Sequence, residues 1–445
     1  MERILTKELH SHLNQSATLK GWVDVRRDHG KLMFVDLRDR SGTVQLVILP
    51  AHEEAYKAAQ DIRAEWVIEI EGEVHARPEH MKNEKEDNGD VEIEVTALSV
   101  VSAAETLPFE RNTEVNLDTL LDYRPLTLRN DRERRIFKVQ SEIVNAYRDA
   151  LRKRDFIEFQ APKIVGGDAE GGAHVFKIEY LNDKTAYLAT SPQLYKQVMV
   201  GVYERVYSIG DVFRAEKHST TRHLNEYTSL DAEMGFICDH TDIMDLLSDV
   251  LRDIISELKK STKEVFDDFG VSLPKCPEKF PHMKLKEAQE LIYKETKEDC
   301  RDEKDLAPEH ERWLSEYAKK EYDSDFIFIT HFPREKTAFY AYDDPEDEGY
   351  TKYFDLLFRG VELCSGGQRM HEYQKLKEKM VWKGLDPEKF EFYLQAFKYG
   401  MPPHGGWGMG LERLTQKFLN LENVKEATLF PREINRIDAR LSESE

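Results

Sequence analysis

The stretch Gly406-Trp407-Gly408-Met409-Gly410-Leu411-Glu412-Arg413 is the segment of this 445-residue chain that says most about its fold. Three glycines alternate with larger residues, and a helical pattern of apolar residues follows at once. Alternating glycines let a backbone lie flat and close beneath a ligand, because they carry no side chain. Arg413 falls where a strand gives way to a helix, which is a position suited to binding an anion. A tight turn before a helix would also explain the glycines, so the interpretation depends on two further segments.

The first of these is Arg154-Asp155-Phe156-Ile157-Glu158-Phe159-Gln160-Ala161-Pro162, at the end of an amphipathic helix. The second runs from Val212-Phe213-Arg214-Ala215-Glu216 to Arg222-His223-Leu224-Asn225-Glu226-Tyr227 and reads as a charged loop between two strands. In chain order, the three segments resemble motifs 1, 2 and 3 of the class II aminoacyl-tRNA synthetases. Motif 1 departs from the usual pattern at one position, because Asp155 stands where the family usually has glycine.

Length and composition are those of a globular protein with a substantial core. Hydrophobic residues make up 40% of the chain and charged residues 33%. No apolar run approaches the roughly 20 residues that cross a bilayer. The first residues lack the pattern of a signal or transit peptide, so we expect a cytoplasmic protein without membrane contact. The four cysteines lie too far apart in sequence for a zinc site.

The formal net charge of −21 argues against general nucleic-acid binding, which needs a basic surface. An RNA ligand would have to meet local basic patches within an acidic field, which favours specific over non-specific contacts.

The pattern predicts an α+β protein of several domains. Residues 1–103 contain five short apolar alternations with one helix between the third and the fourth, as in an OB-fold barrel. Residues 104–131 contain prolines and many charges and read as a hinge. By resemblance, residues 132–445 form a class II catalytic domain, built on an antiparallel sheet flanked by helices. Within it, residues 240–325 read as helical and charged, and we expect them to decorate the core.

Basic residues crowd one part of the predicted barrel, beside Phe34. Positive charge next to an exposed aromatic ring suits unpaired bases, although Phe34 could equally be a core residue. This region resembles the anticodon-binding barrel of the aspartyl enzymes. The resemblance implies that Phe34 stacks on an anticodon base and that Gln45 hydrogen-bonds to one. The expected anticodon-binding residues are Arg26, Phe34, Gln45, Arg77 and Glu92.

The family resemblance implies a ligase that joins an amino acid to ATP and then to tRNA. An amino-acid carboxylate is ionised at pH 7, so its attack on the α-phosphate needs charge neutralisation and alignment rather than a general base. Arg214 is expected at the α-phosphate and Arg413 at the γ-phosphate, as the catalytic pair. The expected ATP-binding residues are Arg214, Glu216, Arg222, His223, Tyr227, Glu362, Gly410 and Arg413.

Asp355 and Glu362 lie on two strands that we expect to pair. Isolated acids at this spacing are more often surface charges, but converging carboxylates are hard ligands for Mg²⁺ that bridges phosphates. The family resemblance favours Mg²⁺ held by Asp355 and Glu362, with Ser365 as a third ligand.

The segment Ser191-Pro192-Gln193-Leu194-Tyr195-Lys196-Gln197 bears on the amino acid. It resembles the aspartyl enzymes, and the asparaginyl relatives carry no lysine at this point. A lysine facing the pocket would pair with a substrate carboxylate, whereas an amide would leave it unpaired at a cost of roughly 3–5 kcal/mol. A surface lysine is the alternative. The expected aspartate-binding residues are Glu170, Gln193, Lys196, Asp231, Ser365 and Arg369.

Together these resemblances imply a homodimeric aspartate–tRNA ligase of subclass IIb that acts on ATP, L-aspartate and tRNA(Asp). The catalytic part is of the archaeal and eukaryotic style, because motifs 2 and 3 leave no room for the bacterial insertion. Two alternatives stay open, namely an asparagine–tRNA ligase and a non-catalytic nucleic-acid-binding paralogue. Whether tRNA(Asn) is a further substrate is not readable from the sequence.

Overall fold

The computed structural model describes residues 2–83, 87–167 and 175–441. It divides the chain into two compact units, residues 1–113 and 114–445. The division falls within the segment predicted as a hinge. The second half of that segment contains two short helices and belongs to the second unit.

The first unit is a closed barrel, and the OB-fold prediction is confirmed. Its elements are β1 (Ser16–His29), β2 (Leu32–Arg38), β3 (Thr43–Ile48), α1 (Glu53–Ala59), β4 (Val67–Ala76) and β5 (Val91–Ser102), with 3-10 helices at Thr6–His12 and Glu79–Met81. The strand order is β1-β2-β3-β5-β4. Along β2, Met33, Val35 and Leu37 enter the core, because successive side chains alternate between the faces of a strand. Phe34 falls on the outer face and is only half-buried, so its interpretation as a core residue is wrong.

The second unit contains longer helices and a large sheet. Its helices are α2 (Leu117–Asp122), α3 (Arg124–Thr127), α4 (Asp131–Arg152), α5 (Gln193–Tyr203), α6 (His240–Ser261), α7 (Lys263–Asp268), α8 (Leu285–Thr296), α9 (Pro308–Tyr322), α10 (Tyr373–Trp382), α11 (Glu391–Lys398) and α12 (Leu411–Phe418). Its strands are β6 (Ile157–Glu158), β7 (Ile164–Val165), β8 (Lys177–Tyr180), β9 (Lys184–Leu188), β10 (Arg205–Phe213), β11 (Glu226–Gly235), β12 (His282–Lys284), β13 (Phe326–Thr330), β14 (Tyr353–Phe358), β15 (Val361–Arg369) and β16 (His404–Gly410). Further 3-10 helices lie at Pro387–Phe390 and Val424–Ala427.

Eight strands form one sheet in the order β12-β13-β14-β15-β16-β11-β10-β6, and β7, β9 and β8 form a small second sheet. The large sheet is antiparallel except at its two edges, where β12 pairs with β13 and β10 with β6 in parallel. The predicted antiparallel sheet flanked by helices is therefore confirmed. The glycine-alternating stretch is β16, and it lies between β15 and β11 near the centre of the sheet.

The glycines of the central strands allow a close approach that larger residues would prevent. A Cβ on Gly366 would lie 2.5 Å from the carbonyl oxygen of Gly406 and 2.5 Å from the ring of Phe354. Side-chain atoms essentially never come so close to a backbone, so glycine is required there by packing.

Helices α4 and α6 contribute many side chains to the main core, including the fully buried Ile136, Val139, Leu247 and Val250. Each such side chain contributes roughly 1.5–3 kcal/mol through removal of apolar surface from water. Because α6 lies within residues 240–325, the expectation that this region only decorates the core is wrong. The apolar residues of α6 recur every three or four positions, so its many charges fall on the opposite face. Within the described residues, no helix is long and apolar enough to cross a membrane.

Asp155 ends the turn that follows α4, and its φ of 64° lies in the left-handed region. Glycine enters this region without strain, which accounts for the residue usual at this position in the family. Aspartate is among the few other residues that tolerate it. The departure from the family pattern therefore preserves the backbone conformation.

We expect Asp155→Ala to lower the free energy of unfolding by roughly 1 kcal/mol relative to Asp155→Gly, because only glycine adopts a positive φ without a Cβ clash. Asp155 is exposed, so packing contributes little to the difference. Urea titrations of both variants measure it. Lys153 is an exposed neighbour with a φ of −67°, and there alanine should be the more stabilising substitution. The same order at both positions would contradict this explanation.

Glu412 fixes the start of α12 to β11. Its two carboxylate oxygens each accept the backbone N–H of Thr228 at 3.1 Å, and only 7% of the residue is exposed. Burial raises the pKa of Glu412 to about 7, although the hydrogen bond from Thr228 opposes the rise. A carboxyl group whose pKa is higher in the folded than in the unfolded chain stabilises the fold most at low pH.

We expect the Glu412 contribution to be complete below pH 4.5, its ordinary pKa, and to be lost as the pH rises through about 7. In Glu412→Gln the side chain is neutral at every pH. The variant should therefore lose less stability than the wild type over this range, by up to about 3 kcal/mol. Urea titrations at several pH values test this, and parallel curves for the two proteins would refute it.

Candidate active site

A cleft of about 560 Å³ opens at the centre of the large sheet. It gathers residues predicted at separate points of the sequence, namely Gln193, Lys196, Arg214, Glu216, Arg222, His223, Tyr227, Asp231, Glu362, Ser365, Arg369, Gly410 and Arg413. Asp355 does not line the cleft but pairs across β14 and β15 with Ser365, which does. Glu170 lies outside the described residues.

One end of the cleft holds a buried lysine. Lys196, on α5, is 1% exposed, and the alternative of a surface lysine is wrong. Its Nζ donates to Asp231 Oδ1 at 2.9 Å and to the carbonyl oxygen of Trp407 at 2.8 Å. The carboxylate of Glu233 lies 3.5 Å away. Lys196 is therefore already paired with the acids of β11.

Arg369 completes this arrangement from the end of β15. Its Nε donates to Glu233 Oε1 and its Nη2 to the carbonyl oxygen of Gly406, both at 2.9 Å. Its guanidinium also lies 5.4 Å from the ring centroid of Tyr340. Burial would raise the pKa of Glu233, but Arg369 and Lys196 more than offset it, so the pKa lies below its ordinary value. We call Lys196, Arg369, Asp231 and Glu233 the charge quartet.

Glu233 was not predicted as a site residue. It lies two positions after Asp231 on β11, and side chains two apart on a strand share a face. This two-residue spacing from Asp231 is the feature of the sequence that could have identified Glu233 as a site residue.

The other end of the cleft carries three arginines and a histidine. Arg413, at the start of α12, donates through Nη1 to the carbonyl oxygen of Glu362 at 2.8 Å. The guanidinium of Arg214 lies 5.7 Å from the ring centroid of Tyr227. Motifs 2 and 3 thus bring their arginines to one cleft, as expected for an anionic ligand.

His223 lies among these cations. Burial lowers the pKa of His223, and Arg413 and Arg222 lower it further, although Glu216 opposes them. Nδ1 of His223 lies 2.7 Å from the hydroxyl oxygen of Thr220. The histidine is therefore neutral at pH 7 and can act as a hydrogen-bond partner rather than as a charge.

Arg222 is tied to a residue far away in the sequence. Its Nη1 donates to Oε2 of Glu311 at 3.0 Å, and Glu311 comes from α9. No local pattern in the sequence pointed to this contact. The region once expected to decorate the core thus contributes a carboxylate at the edge of the cleft.

Asp355 and Glu362 form a crowded acidic pair. Burial and the neighbouring Glu362 raise the pKa of Asp355 well above its ordinary value. Asp355 Oδ1 is buried and has no hydrogen-bond partner within the described residues, and the nearest cation is Lys336 Nζ, 3.7 Å from Oδ2. Ser365 donates to Glu362 Oε1 at 2.8 Å. Two hard carboxylate ligands, one of them with a buried oxygen that lacks a hydrogen bond, fit a divalent cation. No cluster of three metal-binding His, Cys, Asp or Glu side chains occurs in the part described, so phosphate oxygens would have to complete the coordination.

In the first unit, β2, β3 and β5 bring predicted anticodon residues to one outer face. Gln45 Nε2 donates to Glu92 Oε2 at 3.2 Å, and Arg77 Nε lies 3.8 Å from the same oxygen. The ring of Phe34 meets that of His29 edge to face, with centroids 5.8 Å apart.

Arg26 is engaged differently from the other predicted anticodon residues. It donates to both carboxylate oxygens of Asp28, at 3.1 and 3.0 Å, and to the backbone carbonyl of Gln60. Its neighbour Arg27 pairs with Asp36, which is the strand partner of Gln45. Arg27 is therefore the arginine that adjoins the face formed by Phe34, Gln45, Arg77 and Glu92.

Comparison with known proteins agrees with this geometry. The family described as tRNA synthetases class II (D, K and N) matches residues 116–434, and the OB-fold nucleic acid binding domain matches residues 17–101. The aspartate–tRNA(Asp/Asn) ligase of Thermus thermophilus is 44% identical over 98% of this chain and 99% of its own. The aspartate–tRNA(Asp) ligase of Pyrococcus abyssi is 39% identical over 97% of this chain and 98% of its own.

Solved structures show the same architecture. The asparaginyl-tRNA synthetase from Pyrococcus horikoshii complexed with asparaginyl-adenylate superposes with a TM-score of 0.90 at 32% identity, covering 98% of this chain and 99% of its own. The aspartyl-tRNA synthetase from Entamoeba histolytica reaches 0.85 at 30% identity, covering 98% and 93%. With motifs 2 and 3 gathered around one cleft and its sequence matched over nearly its full length, the chain belongs to the class II tRNA synthetases of the D, K and N group.

Proposed function

We propose that the chain is an aspartate–tRNA ligase. It converts L-aspartate and ATP to aspartyl-adenylate and diphosphate, and then transfers the aspartyl group to the 3′ end of tRNA(Asp), with release of AMP. The observation that carries this proposal is the charge quartet, which places two buried cations at the amino-acid end of the cleft. The names of the full-length relatives support the same reaction.

The quartet is electrically balanced before a substrate binds, since two cations face two carboxylates. L-Aspartate adds one ammonium and two carboxylates. Asp231 is suited to receive the ammonium, which releases Lys196 from its partner. Lys196 and the planar fork of Arg369 then face the side-chain carboxylate, which replaces Asp231 as the partner of Lys196, while Arg369 keeps its ion pair with Glu233. The proposed aspartate-binding set is Glu170, Gln193, Lys196, Asp231, Ser365 and Arg369.

Asparagine would leave this balance incomplete. Its amide carries no charge, so Lys196 would lose its hydrogen-bonded partner Asp231 to the ammonium and keep only the more distant Glu233, which it shares with Arg369. A buried charge without its partner costs roughly 3–5 kcal/mol, or two to three orders of magnitude in selectivity.

At the nucleotide end, the substrate α-carboxylate is the nucleophile and needs no base. Arg214 neutralises the α-phosphate and Arg413 the γ-phosphate, so that charge is compensated where it develops during transfer. We propose that Glu216 accepts the adenine amino group and that Tyr227 and His223 pack near the base and the phosphates. Gly410 leaves room for the nucleotide beside them.

Mg²⁺ is the proposed metal, and Asp355, Glu362 and Ser365 would hold it. When bound, the ion would draw charge from the phosphate oxygens and help to fix their orientation. The under-coordinated carboxyl oxygen of Asp355 supports this assignment.

An asparagine–tRNA ligase is the second candidate, because a solved asparaginyl enzyme shares the architecture at a TM-score of 0.90. The buried Lys196 argues against it. A non-catalytic paralogue is the weaker third candidate, since both motif arginines and Glu362 line the cleft and Asp355 is present beside it.

The homodimer is also a proposal. It is supported by the apolar side chains of motif 1 and of the strand that follows it, where Ile157 is 43% and Ile164 is 52% exposed. A partner subunit would remove this apolar surface from water.

The decisive measurement is ATP–diphosphate exchange with each amino acid. The wild type should exchange with L-aspartate and not with L-asparagine. Lys196→Gln keeps hydrogen-bond donors for Asp231 and Trp407 but removes the charge, so kcat/KM for aspartate should fall by at least about a hundredfold. Affinity for ATP should stay within about twofold, because Lys196 lies at the amino-acid end.

The matched control for this variant is Lys379→Gln. Lys379 is also 1% exposed and pairs with Asp343, but it does not line the cleft. The Lys379→Gln variant should be less stable than the wild type but should retain its preference for aspartate. Exchange with asparagine in the wild type, or an unchanged kcat/KM in Lys196→Gln, would overturn the amino-acid assignment.

We propose further that the enzyme charges both tRNA(Asp) and tRNA(Asn), because the relatives at 40–44% identity are named for both. Charging assays with each purified tRNA test this directly.

Phe34→Ala should lower kcat/KM for both tRNAs by about tenfold or more, since stacking on a base contributes roughly 1–3 kcal/mol. Exchange without tRNA should be unchanged. Tyr56→Ala, on α1, removes an aromatic ring that packs against the barrel core instead, so it controls for lost packing and should charge tRNA normally as long as the barrel is folded. If only one tRNA is charged, the broader specificity is wrong.

A further inference from the structure

Glu311 is a mostly buried carboxylate on α9, with its side chain 12% exposed. Its Oε2 accepts Nη1 of Arg222 at 3.0 Å and the backbone N–H of Glu362 at 3.4 Å. It therefore touches the charged loop of motif 2 on one side and strand β15 on the other. Both neighbours belong to the triphosphate end of the cleft.

We propose that Glu311 is a positioning residue for ATP, which holds Arg222 at the edge of the cleft before the nucleotide binds. This inference rests on the proposed function, because it deepens the role of the same cleft. Glu311 itself touches no substrate atom in this scheme, and it acts through Arg222.

A residue that positions Arg222 is needed because an exposed loop precedes this arginine. Residues 217–221 are all exposed, so an arginine that follows them would sample many rotamers if nothing held it. Ordering an arginine side chain costs up to about 2 kcal/mol. The contact with Glu311, together with a weaker one from Nη2 to the carbonyl oxygen of Gly360 at 3.4 Å, restricts Arg222 in advance. A guanidinium has five N–H donors, so one held this way keeps donors for a phosphate.

Repulsion between the arginines of the cleft is a second reason to assign this role to Glu311. Arg222 and Arg413 line the same end of the cleft and repel each other when no triphosphate is present. The carboxylate of Glu311 compensates Arg222 and lowers the cost of collecting these cations. The short distance and the low exposure of Glu311 make this a charge-assisted contact rather than a screened surface pair.

The test is the affinity for Mg²⁺–ATP, measured by calorimetry on the full chain without amino acid. Glu311→Ala should raise the Kd for ATP roughly tenfold, the loss typical of a charge-assisted hydrogen bond. The KM for aspartate should change by less than about twofold, since its site lies at the other end. Glu311→Gln keeps the size of the side chain and one acceptor oxygen, so its Kd for ATP should lie between those of the wild type and Glu311→Ala. If Glu311→Ala does not fold, Glu311→Gln takes its place in the test. Glu309→Ala removes an exposed carboxylate from the same helix and should bind ATP like the wild type.

A double-mutant cycle separates positioning from a merely structural role. If Glu311 acts through Arg222, then Glu311→Ala should have no further effect on ATP affinity once Arg222→Ala is present. Independent, multiplying effects would overturn the inference. So would a Glu311→Ala protein with lowered thermal stability and wild-type affinity for ATP. If the wild type shows no aspartate-dependent ATP–diphosphate exchange, the ligase proposal is refuted. The inference about Glu311 is then still tested separately, because ATP affinity is measured without aspartate.

Discussion

The charge quartet is the constraint on which the rest of the catalytic unit depends. Four ionised groups are removed from water at the centre of the sheet, and such burial is tolerated only when every charge has its partner and its hydrogen bonds. Asp231 and Glu233 come close to this condition because they share one face of β11: each is ion-paired, and only Oε2 of Glu233, 3.5 Å from Lys196 Nζ, has no hydrogen bond among the described residues. Lys196 approaches from α5 and Arg369 from β15. A shift of one residue in the register of β11 would turn both acids to the opposite face and leave both cations unpaired.

The glycine-rich strand has a role here that its sequence alone does not reveal. Its glycines predict a backbone that can lie close to a ligand. In the structure, the carbonyl oxygens of Gly406 and Trp407 also accept hydrogen bonds from Arg369 and Lys196. Strand β16 thus accepts hydrogen bonds from N–H groups of Lys196 and Arg369 that do not bind Asp231 or Glu233. Because β16 lies between β15 and β11, the motif that identifies the fold also holds the buried charges in place.

How much the sequence could predict depended on how local each signal was. Arg214, Arg413 and Lys196 lie in contiguous motifs, and the cleft brings them together. Glu233 and Glu311 were missed because their partners lie on other elements, and Glu311 meets Arg222 across 89 residues of chain. Helix α6 was misjudged for a different reason, since its charges obscured an apolar stripe that becomes clear only on the helix. The short helices α2 and α3 were read as part of a hinge, because each spans too few residues to show a period.

The balance within the quartet changes how selectivity has to be explained. A lone buried lysine would attract any substrate carboxylate, but Lys196 already has Asp231 beside it. An anion can take its place only if Asp231 finds another cation, and the α-ammonium of an amino acid is such a cation. In the proposed binding scheme, recognition of the ammonium and recognition of the side chain are therefore coupled through the carboxylate of Asp231. A dicarboxylate without an amino group would gain the contact with Lys196 only by competing with Asp231. Under the proposed scheme, the cleft would select for the ammonium and the side-chain carboxylate of aspartate at once, and neither group alone would gain the full binding energy.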